Sequence, residues 1–166
     1  MSDPLVGGTD VASLVEELTR SRQTVATAES LTAGLLAATI AGVPGASIVL
    51  RGGLIVYATD LKAGLAGVAE ATLAVDGPVA ASTAAELATG AAARCGADWG
   101  VGLTGVAGPD PQDGKPVGTV FLGVAGPDGV RVRELVLPGG RWEIRRAAVA
   151  AAVSDLLGRV RSGTAG

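Results

Sequence analysis

Helical and strand-like hydrophobic patterns alternate along this chain, and the alternation constrains its fold more than any other feature. Over 10–21, apolar residues recur at three- and four-residue intervals, which predicts a helix with Asp10 as its N-cap. Further helices are predicted at 31–40, 59–64, 79–95 and 141–160, and strands at 24–28, 47–58, 98–103, 117–124 and 130–137. This order, α-β-α-β-α-α-β-β-β-α, favours an α/β protein with helices on both faces of a mixed sheet.

Glycine pairs at 52–53 and at the ends of 126–129 indicate a strand irregularity and a turn. Gly52 and Gly53 interrupt the strand predicted at 47–58, which indicates a bulge or a close backbone approach. The segment 126–129 reads Gly-Pro-Asp-Gly between two apolar runs, which predicts a hairpin turn.

Small aliphatic residues supply the core that this order requires. Hydrophobic residues make up 48% of the 166 residues but aromatic residues only 2%, so we expect helices packed closely on small side chains. A chain of this length typically forms one domain and needs no metal or disulfide staple. We therefore predict a single domain over 1–166, with a core at about 10–160 and frayed tails at 1–8 and 162–166.

The charge pattern argues against nucleic-acid and membrane partners. The net charge is −3, from 13 basic and 16 acidic residues, and no segment is rich in lysine or arginine. The sequence contains no run of about 18 consecutive apolar residues, so a transmembrane helix is not expected. The N-terminal segment lacks the basic and apolar regions of a signal peptide, and a cytoplasmic location is the default prediction.

The chain contains no histidine, which excludes every Ser-His-Asp or Cys-His mechanism and every zinc site built on imidazole. Cys95 is the only cysteine, so an internal disulfide and a multi-cysteine metal site are excluded, and we interpret it as a packed thiol. We predict no metal and no cofactor. The general base of an enzyme with this composition must be Lys, Tyr, Asp, Glu or the substrate itself.

Ser30 lies in the segment 27–34, which joins a predicted strand to a predicted helix. Free N–H groups and the helix dipole favour negative charge at such a junction. Ser30 is therefore either an ordinary helix cap or a nucleophile whose oxyanion is stabilised by backbone amides. The segment lacks the G-x-S-x-G elbow of α/β-hydrolases, so that fold is not supported.

Tyr57 and Lys62 form a second candidate site at the end of a predicted strand. Tyr57 is the only tyrosine and Lys62 is one of two lysines. A lysine in a desolvated pocket can lose its proton and act as a base. The alternative is a core tyrosine beside a surface lysine. The spacing is one residue too long for the Y-x-x-x-K dyad of short-chain dehydrogenases.

The glycine-rich segment 100–118 matches two nucleotide-binding motifs only superficially. Gly100, Gly102 and Gly105 satisfy G-x-G-x-x-G, but prolines follow where the motif requires a helix, and the P-loop-like segment 108–115 has the wrong spacing. Open backbone N–H groups in this loop suit an anion or a carboxamide, and a simple flexible loop is the alternative.

Arg141 and Arg145 lie one turn apart at the start of the last predicted helix. Guanidinium groups and free amides at a helix N-terminus suit a phosphate. Surface salt bridges are the alternative interpretation.

Together, in this order and spacing, these segments resemble the nicotinamide-nucleotide amidohydrolase family, also known as the CinA C-terminal domain. The resemblance runs from about Asp10 to Val160. It rests on Ala28-Glu29-Ser30 with Thr32 and Gly34, on Val43-Pro44-Gly45-Ala46-Ser47, on Tyr57 with Lys62, on 104–109 and 115–120, and on Arg141 with Arg145.

The resemblance implies a three-layer α/β/α sandwich with a mixed, largely parallel sheet, assembled as a homodimer. The implied activity is hydrolysis of nicotinamide mononucleotide to nicotinic acid mononucleotide and ammonia. By position, Ser30 is the implied nucleophile, and Lys62, helped by Tyr57, the group that accepts its proton and later protonates ammonia. The implied substrate-binding residues are Thr32, Ala33, Gly34, Thr104, Gly105, Arg141 and Arg145. Backbone amides near Thr32, Ala33 and Gly105 would hold the oxyanion, Thr104 would contact the substrate, and one of the two arginines would hold its phosphate.

Two departures from the family pattern keep other functions open. Ala33 replaces a glycine, and Ala80 stands where the family usually has a glutamate. A non-catalytic pyridine-nucleotide binder or interaction module is the main alternative, and an amidase acting on another small carboxamide is the second.

Overall fold

A mixed sheet of five strands, flanked by helices, organises the computed structural model, which describes residues 3–163. In chain order the elements are α1 (Val11–Ser21), β1 (Val25–Glu29), α2 (Leu35–Ala41), a 3-10 turn (Ala46–Ile48), β2 (Leu50–Ile55), α3 (Thr59–Gly64), α4 (Glu70–Val75), α5 (Ala81–Cys95), β3 (Trp99–Gly105), β4 (Thr119–Gly126), β5 (Gly129–Val136) and α6 (Arg141–Gly163).

The strand order is β2-β1-β3-β4-β5, which confirms the predicted mixed sheet. Strand β1 pairs in parallel with β2 and β3, whereas the pairs β3–β4 and β4–β5 are antiparallel. The expectation of a largely parallel sheet is therefore wrong, because the strand pairs divide evenly. Helices join the parallel strands, whereas a loop without a helix joins β3 to β4 and a two-residue turn joins β4 to β5. A two-residue turn can join only antiparallel strands, and a parallel crossover usually contains a helix. That turn, between Gly126 and Gly129, is the predicted hairpin.

Helices cover both faces of the sheet, as predicted. On one face, α1, α2 and α6 pack on the large apolar side chains of the strands and form the main core. On the other face, α5 packs on β1, β3 and β4. Gly100 and Gly102 face α5. A Cβ on Gly100 would lie 1.9 Å from a carbonyl oxygen of the helix, and a Cβ on Gly102 would lie 2.6 Å from another. These glycines therefore serve close helix–sheet packing, which explains why they resemble a nucleotide motif without forming one.

Three predicted element boundaries are wrong. The strand predicted at 47–58 is confined to β2, although the bulge is confirmed, since the register skips from Leu50 to Gly52 opposite Val25 and Ala26. The helix predicted from residue 31 begins at Leu35, after a turn. At the chain's end, α6 continues through 162–163, which were expected to fray.

Two further features escaped the pattern analysis. Asp10 occupies the predicted N-cap position of α1, but its side chain makes no capping hydrogen bond. Helix α4 was missed because none of its residues is buried, so its sequence carries no apolar stripe. Of the predicted tails, residues 1–2 and 164–166 lie outside the described residues. None of the helices within 3–163 combines the length and apolar character needed to span a bilayer.

Candidate active site

Ser30 and Lys62 meet at the carboxyl end of β1. Ser30 directly follows β1, and Lys62 comes from α3, which follows β2, the parallel neighbour of that strand. The Lys62 Nζ lies 3.1 Å from the Ser30 Oγ. Both residues are buried, with only 2% of Lys62 exposed. The structure thus brings together the two residues to which the sequence analysis assigned the nucleophile and the base.

Two carbonyl groups complete the surroundings of the Lys62 amine. The Nζ donates to the Val56 carbonyl at 2.9 Å and to the Tyr57 carbonyl at 3.3 Å. Burial lowers the pKa of Lys62 below its usual range, and the negative charge of Asp113 raises it by a smaller amount. Desolvation therefore favours the neutral amine, which is the form that accepts a proton.

The turn over residues 30–34 leaves two backbone amides free beside Ser30. The Ser30 N–H donates to the Leu103 carbonyl, and the Ala33 N–H donates to the Ser30 carbonyl. The amides of Leu31 and Thr32 have no acceptor within residues 3–163. Oxyanion amides were expected near Thr32, Ala33 and Gly105. Of these, the Ala33 amide is already occupied and the Thr32 amide is available, and the free Leu31 amide was not predicted.

Ala33 adopts the left-handed conformation, with a φ of 48°. Non-glycine residues pay about 1–2 kcal/mol for this conformation, which explains the glycine expected here from the family pattern. Gly34 follows with a φ of 95°, and its position marks the start of α2. Thr32 is fully buried, and its Oγ1 has no hydrogen-bond partner in the described part of the chain.

Glu29 is the functional residue that the sequence analysis missed. Its carboxylate is buried and accepts backbone N–H groups from Gly34, Leu36 and Ala37, at 2.9 to 3.1 Å. These bonds supply the N-terminal cap of α2 that was expected from Ser30, and Ser30 remains free for Lys62. The available signal was a charged residue at the end of a strand that otherwise carries no charge, directly before the serine.

Tyr57 and Arg141 meet at the mouth of the site. Tyr57 is half exposed, and its hydroxyl oxygen accepts a hydrogen bond from the Arg141 Nη2 at 2.7 Å. The Nη1 of Arg141 donates to the Gly108 carbonyl at 2.5 Å. Tyr57 therefore contributes its backbone carbonyl to Lys62 and its hydroxyl to Arg141, while its ring lies between them.

The glycine-rich loop 106–118 forms the opposite wall. At the end of β3, Thr104 is buried and its hydroxyl donates to the Pro78 carbonyl at 2.6 Å. A Cβ on Gly105 would lie 2.6 Å from the Thr119 carbonyl oxygen, so this residue must be a glycine. The loop is fixed at its base because the Val106 N–H donates to the Thr119 carbonyl and the Val106 carbonyl accepts from Gly118.

These residues enclose a cavity of about 100 Å³. Typical small-molecule pockets are larger, at roughly 300–1,000 Å³, so the enclosed part matches a single ring or a carboxamide rather than a whole nucleotide. The cavity is lined by Ser30, Leu31, Tyr57, Thr59, Lys62, Pro78, Val79, 104–108, Asp110, Gln112 and Arg141.

Arg145 lies away from this cavity, although it shares a helix with Arg141. Its Nε donates to the Leu31 carbonyl and its Nη2 to the Thr32 carbonyl, at 2.9 and 3.1 Å. The two arginines, one of which was expected to hold the phosphate, therefore bond different partners. A larger apolar groove of about 630 Å³ lies between 4–9 and α6, and none of the predicted catalytic residues lines it.

Within residues 3–163, no group of three or more acidic or cysteine side chains is placed to hold a metal ion. The polar groups that line the cavity are an amine, hydroxyls, backbone amides, a guanidinium, a single carboxylate and a side-chain amide. This set suits nucleophilic attack on a carbonyl group, with a proton acceptor beside the nucleophile and N–H donors beside the developing oxyanion.

Comparisons with known proteins agree with this architecture. The family model for the CinA C-terminal domain matches residues 9–160. A CinA-like protein of Frankia casuarinae is 50% identical over 146 residues, covering 88% of this chain and 34% of that protein. The chain spans about a third of the length of the curated relatives it matches.

Solved structures share the fold over nearly the whole chain. The competence/damage inducible protein CihA from Agrobacterium tumefaciens superposes with a TM-score of 0.85 at 36% identity, covering 90% of this chain and 94% of that one. A CinA superfamily protein from Klebsiella pneumoniae gives a TM-score of 0.88 at 25% identity, covering 92% and 96%. Because the family model covers almost all of the sequence and these structures share its fold, the chain belongs to the CinA C-terminal domain family.

Proposed function

We propose that this chain hydrolyses the carboxamide of nicotinamide mononucleotide to nicotinic acid mononucleotide and ammonia, with Ser30 as nucleophile. The observation that carries the proposal is the buried pair of Ser30 Oγ and Lys62 Nζ, 3.1 Å apart, in a chain without histidine. A serine is activated by an adjacent proton acceptor, and a desolvated lysine can take the part that histidine plays elsewhere.

The partners of Lys62 support its role as the base. A neutral amine has two N–H hydrogens and one lone pair. Its two carbonyl partners, at Val56 and Tyr57, can take the two hydrogens, which leaves the lone pair for the Ser30 hydroxyl proton. The same three oxygens accept the three hydrogens of the ammonium after proton transfer.

The proposed reaction has two halves. The Ser30 Oγ bonds to the carboxamide carbon as its proton passes to Lys62, and the amides of Leu31 and Thr32 stabilise the oxyanion. Lys62 then returns the proton to the nitrogen, the C–N bond breaks and ammonia leaves. A water molecule attacks the resulting ester as Lys62 accepts one of its protons. Lys62 passes this proton to the Ser30 oxygen as the ester bond breaks, and the carboxylic acid product leaves and gives its own proton to solvent.

Charged groups at the mouth support a phosphorylated pyridinium substrate. The Arg141 guanidinium lies beside the Tyr57 hydroxyl, where the part of a nucleotide outside the ring-sized cavity would extend. Asp110 also lines the cavity, and its carboxylate has no partner within residues 3–163. A carboxylate near a permanently cationic ring is a favourable arrangement.

Ammonia release from the purified protein tests this function. Wild-type protein supplied with nicotinamide mononucleotide should release ammonia, and Ser30→Ala should lower turnover by at least about 10³-fold while nucleotide binding, measured by calorimetry, persists. Ser154→Ala, on the exposed side of α6, serves as the matched control and should keep full turnover. Substantial turnover by Ser30→Ala would contradict the nucleophile assignment.

A second candidate is a pyridine-nucleotide binder with weakened catalysis. The observation that favours it is the left-handed Ala33, a methyl-bearing residue in the turn that carries the oxyanion amides. Nucleotide binding by the wild-type protein without ammonia release would select this candidate. The homodimer and the cytoplasmic location implied earlier stay predictions, and analytical ultracentrifugation would measure the former.

A further inference from the structure

Arg145 bonds two carbonyl groups of the turn that follows Ser30. Two of its nitrogens donate to consecutive carbonyls, those of Leu31 and Thr32, and its guanidinium lies 5.8 Å from the centre of the Trp142 ring. Both groups are held by α6, whereas the turn belongs to the β1–α2 connection. Two hydrogen bonds and a cation–π contact together restrict the orientation of the planar guanidinium.

The carbonyl that Arg145 holds belongs to the same peptide unit as a free amide. In a trans peptide the C=O and N–H point in opposite directions. The hydrogen bond to the Leu31 carbonyl therefore fixes the direction of the Thr32 N–H, which has no acceptor among the described residues. In the same way, the bond from Ala33 to the Ser30 carbonyl fixes the Leu31 N–H.

Glu29 restrains the same turn from its other side. Its carboxylate takes the amides of Gly34, Leu36 and Ala37, so those N–H groups cannot serve the site. Arg145 bonds the Leu31 and Thr32 carbonyls, and Glu29 bonds amides at the start of α2. In the turn between them, the amides of Leu31 and Thr32 are left unpaired. An arrangement that leaves these two amides free by bonding their neighbours is typical of a preorganised oxyanion site.

We propose that Arg145 is a positioning residue, which orients the Leu31–Thr32 peptide so that its N–H faces the charge developing beside Ser30. This inference rests on the proposed function for its catalytic consequence. It replaces a phosphate-binding role for Arg145, because its Nε and Nη2 already bond backbone carbonyls and Arg141, not Arg145, lines the cavity.

Hydrogen exchange tests the structural half of the proposal without reference to activity. In Arg145→Ala, peptides covering 30–37 should exchange faster than in the wild-type protein, while peptides from α5 and β4 stay unchanged. Arg146→Ala is the matched control, because Arg146 contacts the same Trp142 ring and makes no hydrogen bond to the turn. Unchanged exchange over 30–37 in Arg145→Ala would overturn the proposal.

Kinetics test the catalytic half. Arg145→Ala should lower kcat by about 10- to 100-fold, less than the ~10²–10³-fold loss of an oxyanion donor itself, because the turn keeps its other bonds. KM should change little, kcat should fall equally for nicotinamide mononucleotide and its riboside, and Arg145→Lys should recover part of the loss. A raised KM for the nucleotide alone would overturn the proposal in favour of phosphate binding. If the wild-type protein releases no ammonia from either compound, the proposed function fails, and the exchange measurement still decides whether Arg145 orders the turn.

Discussion

Replacing Lys62 with methionine measures what burying this amine costs the fold. Burial lowers the pKa of Lys62 in the folded protein, whereas an unfolded lysine titrates near about 10.4. Between these two pKa values the unfolded state binds more protons than the folded state, so the free energy of unfolding rises with pH. The variant lacks this group. The difference in unfolding free energy, wild type minus Lys62→Met, should therefore increase by up to about 1.4 kcal/mol per pH unit within that window and stay flat outside it.

The slope is more informative than the difference at any single pH. Lys62→Met removes the donors to the Val56 and Tyr57 carbonyls, which costs about 1 kcal/mol each. It also removes the penalty for a buried ammonium, which acts in the opposite direction. These contributions oppose each other at neutral pH. Groups that titrate in both proteins cancel from the difference, which leaves Lys62 as the source of its pH dependence.

Urea unfolding, followed by circular dichroism at several pH values from about 6 to 10.5, supplies the required free energies. Leu61→Met, on the same helix and partly exposed, is the matched control, and its difference from wild type should not depend on pH. A flat difference for Lys62→Met would refute the lowered pKa. A difference that falls with pH would show that the charged form is favoured in the folded protein, and the argument for a lysine base would fail.

Two further predictions concern the same site. Ala33→Gly should raise the free energy of unfolding by about 0.5–1 kcal/mol. The left-handed conformation strains alanine, and the extra freedom of glycine in the unfolded chain offsets only part of the gain. Urea unfolding measures the change, and a lower free energy of unfolding for the variant would show that Ala33 is not strained. Asp113→Asn removes the charge that raises the pKa of Lys62, so the acidic limb of the kcat/KM profile for nicotinamide mononucleotide should move to lower pH; a shift to higher pH would show that this limb reports another group.

The sequence predicts the parts of this fold that depend on local pattern. The long α5 and α6 and the central strands carry clear periodicity, and the structure contains them where expected. The pairing of Ser30 with Lys62 was expected from the family resemblance, and the structure explains it: Ser30 follows β1, and α3, which carries Lys62, follows the parallel neighbour β2. Helix α4 carries no apolar stripe, so no pattern could reveal it.

The rest of the site depends on contacts between distant segments. Arg145 bonds carbonyls more than a hundred residues away, and the sequence spacing that paired it with Arg141 carries no information about that contact. Nor does composition show that the Glu29 side chain turns back to bind amides of the next helix. A side chain that bonds backbone groups can do so beside any residue type, so no sequence motif marks the contact. For this reason the cap of α2 was considered for Ser30 and not for Glu29, and Arg145 was considered as a phosphate ligand.

The absence of histidine changes what the fold must supply to a serine nucleophile. Imidazole titrates near neutral pH without help, whereas a lysine must be desolvated before its amine accepts a proton. A buried amine without hydrogen-bond partners would destabilise the fold. The carbonyls of Val56 and Tyr57, which follow β2, accept hydrogen bonds from the amine and offset this loss. Those carbonyls belong to the segment that connects β2 to α3, the helix that carries Lys62 itself. The base and its partners are therefore positioned by one short connection. A shift in the start of α3 would move the amine away from both carbonyl partners and from Ser30 together. This connection should therefore tolerate insertions less well than the turn between β4 and β5, which does not line the cavity.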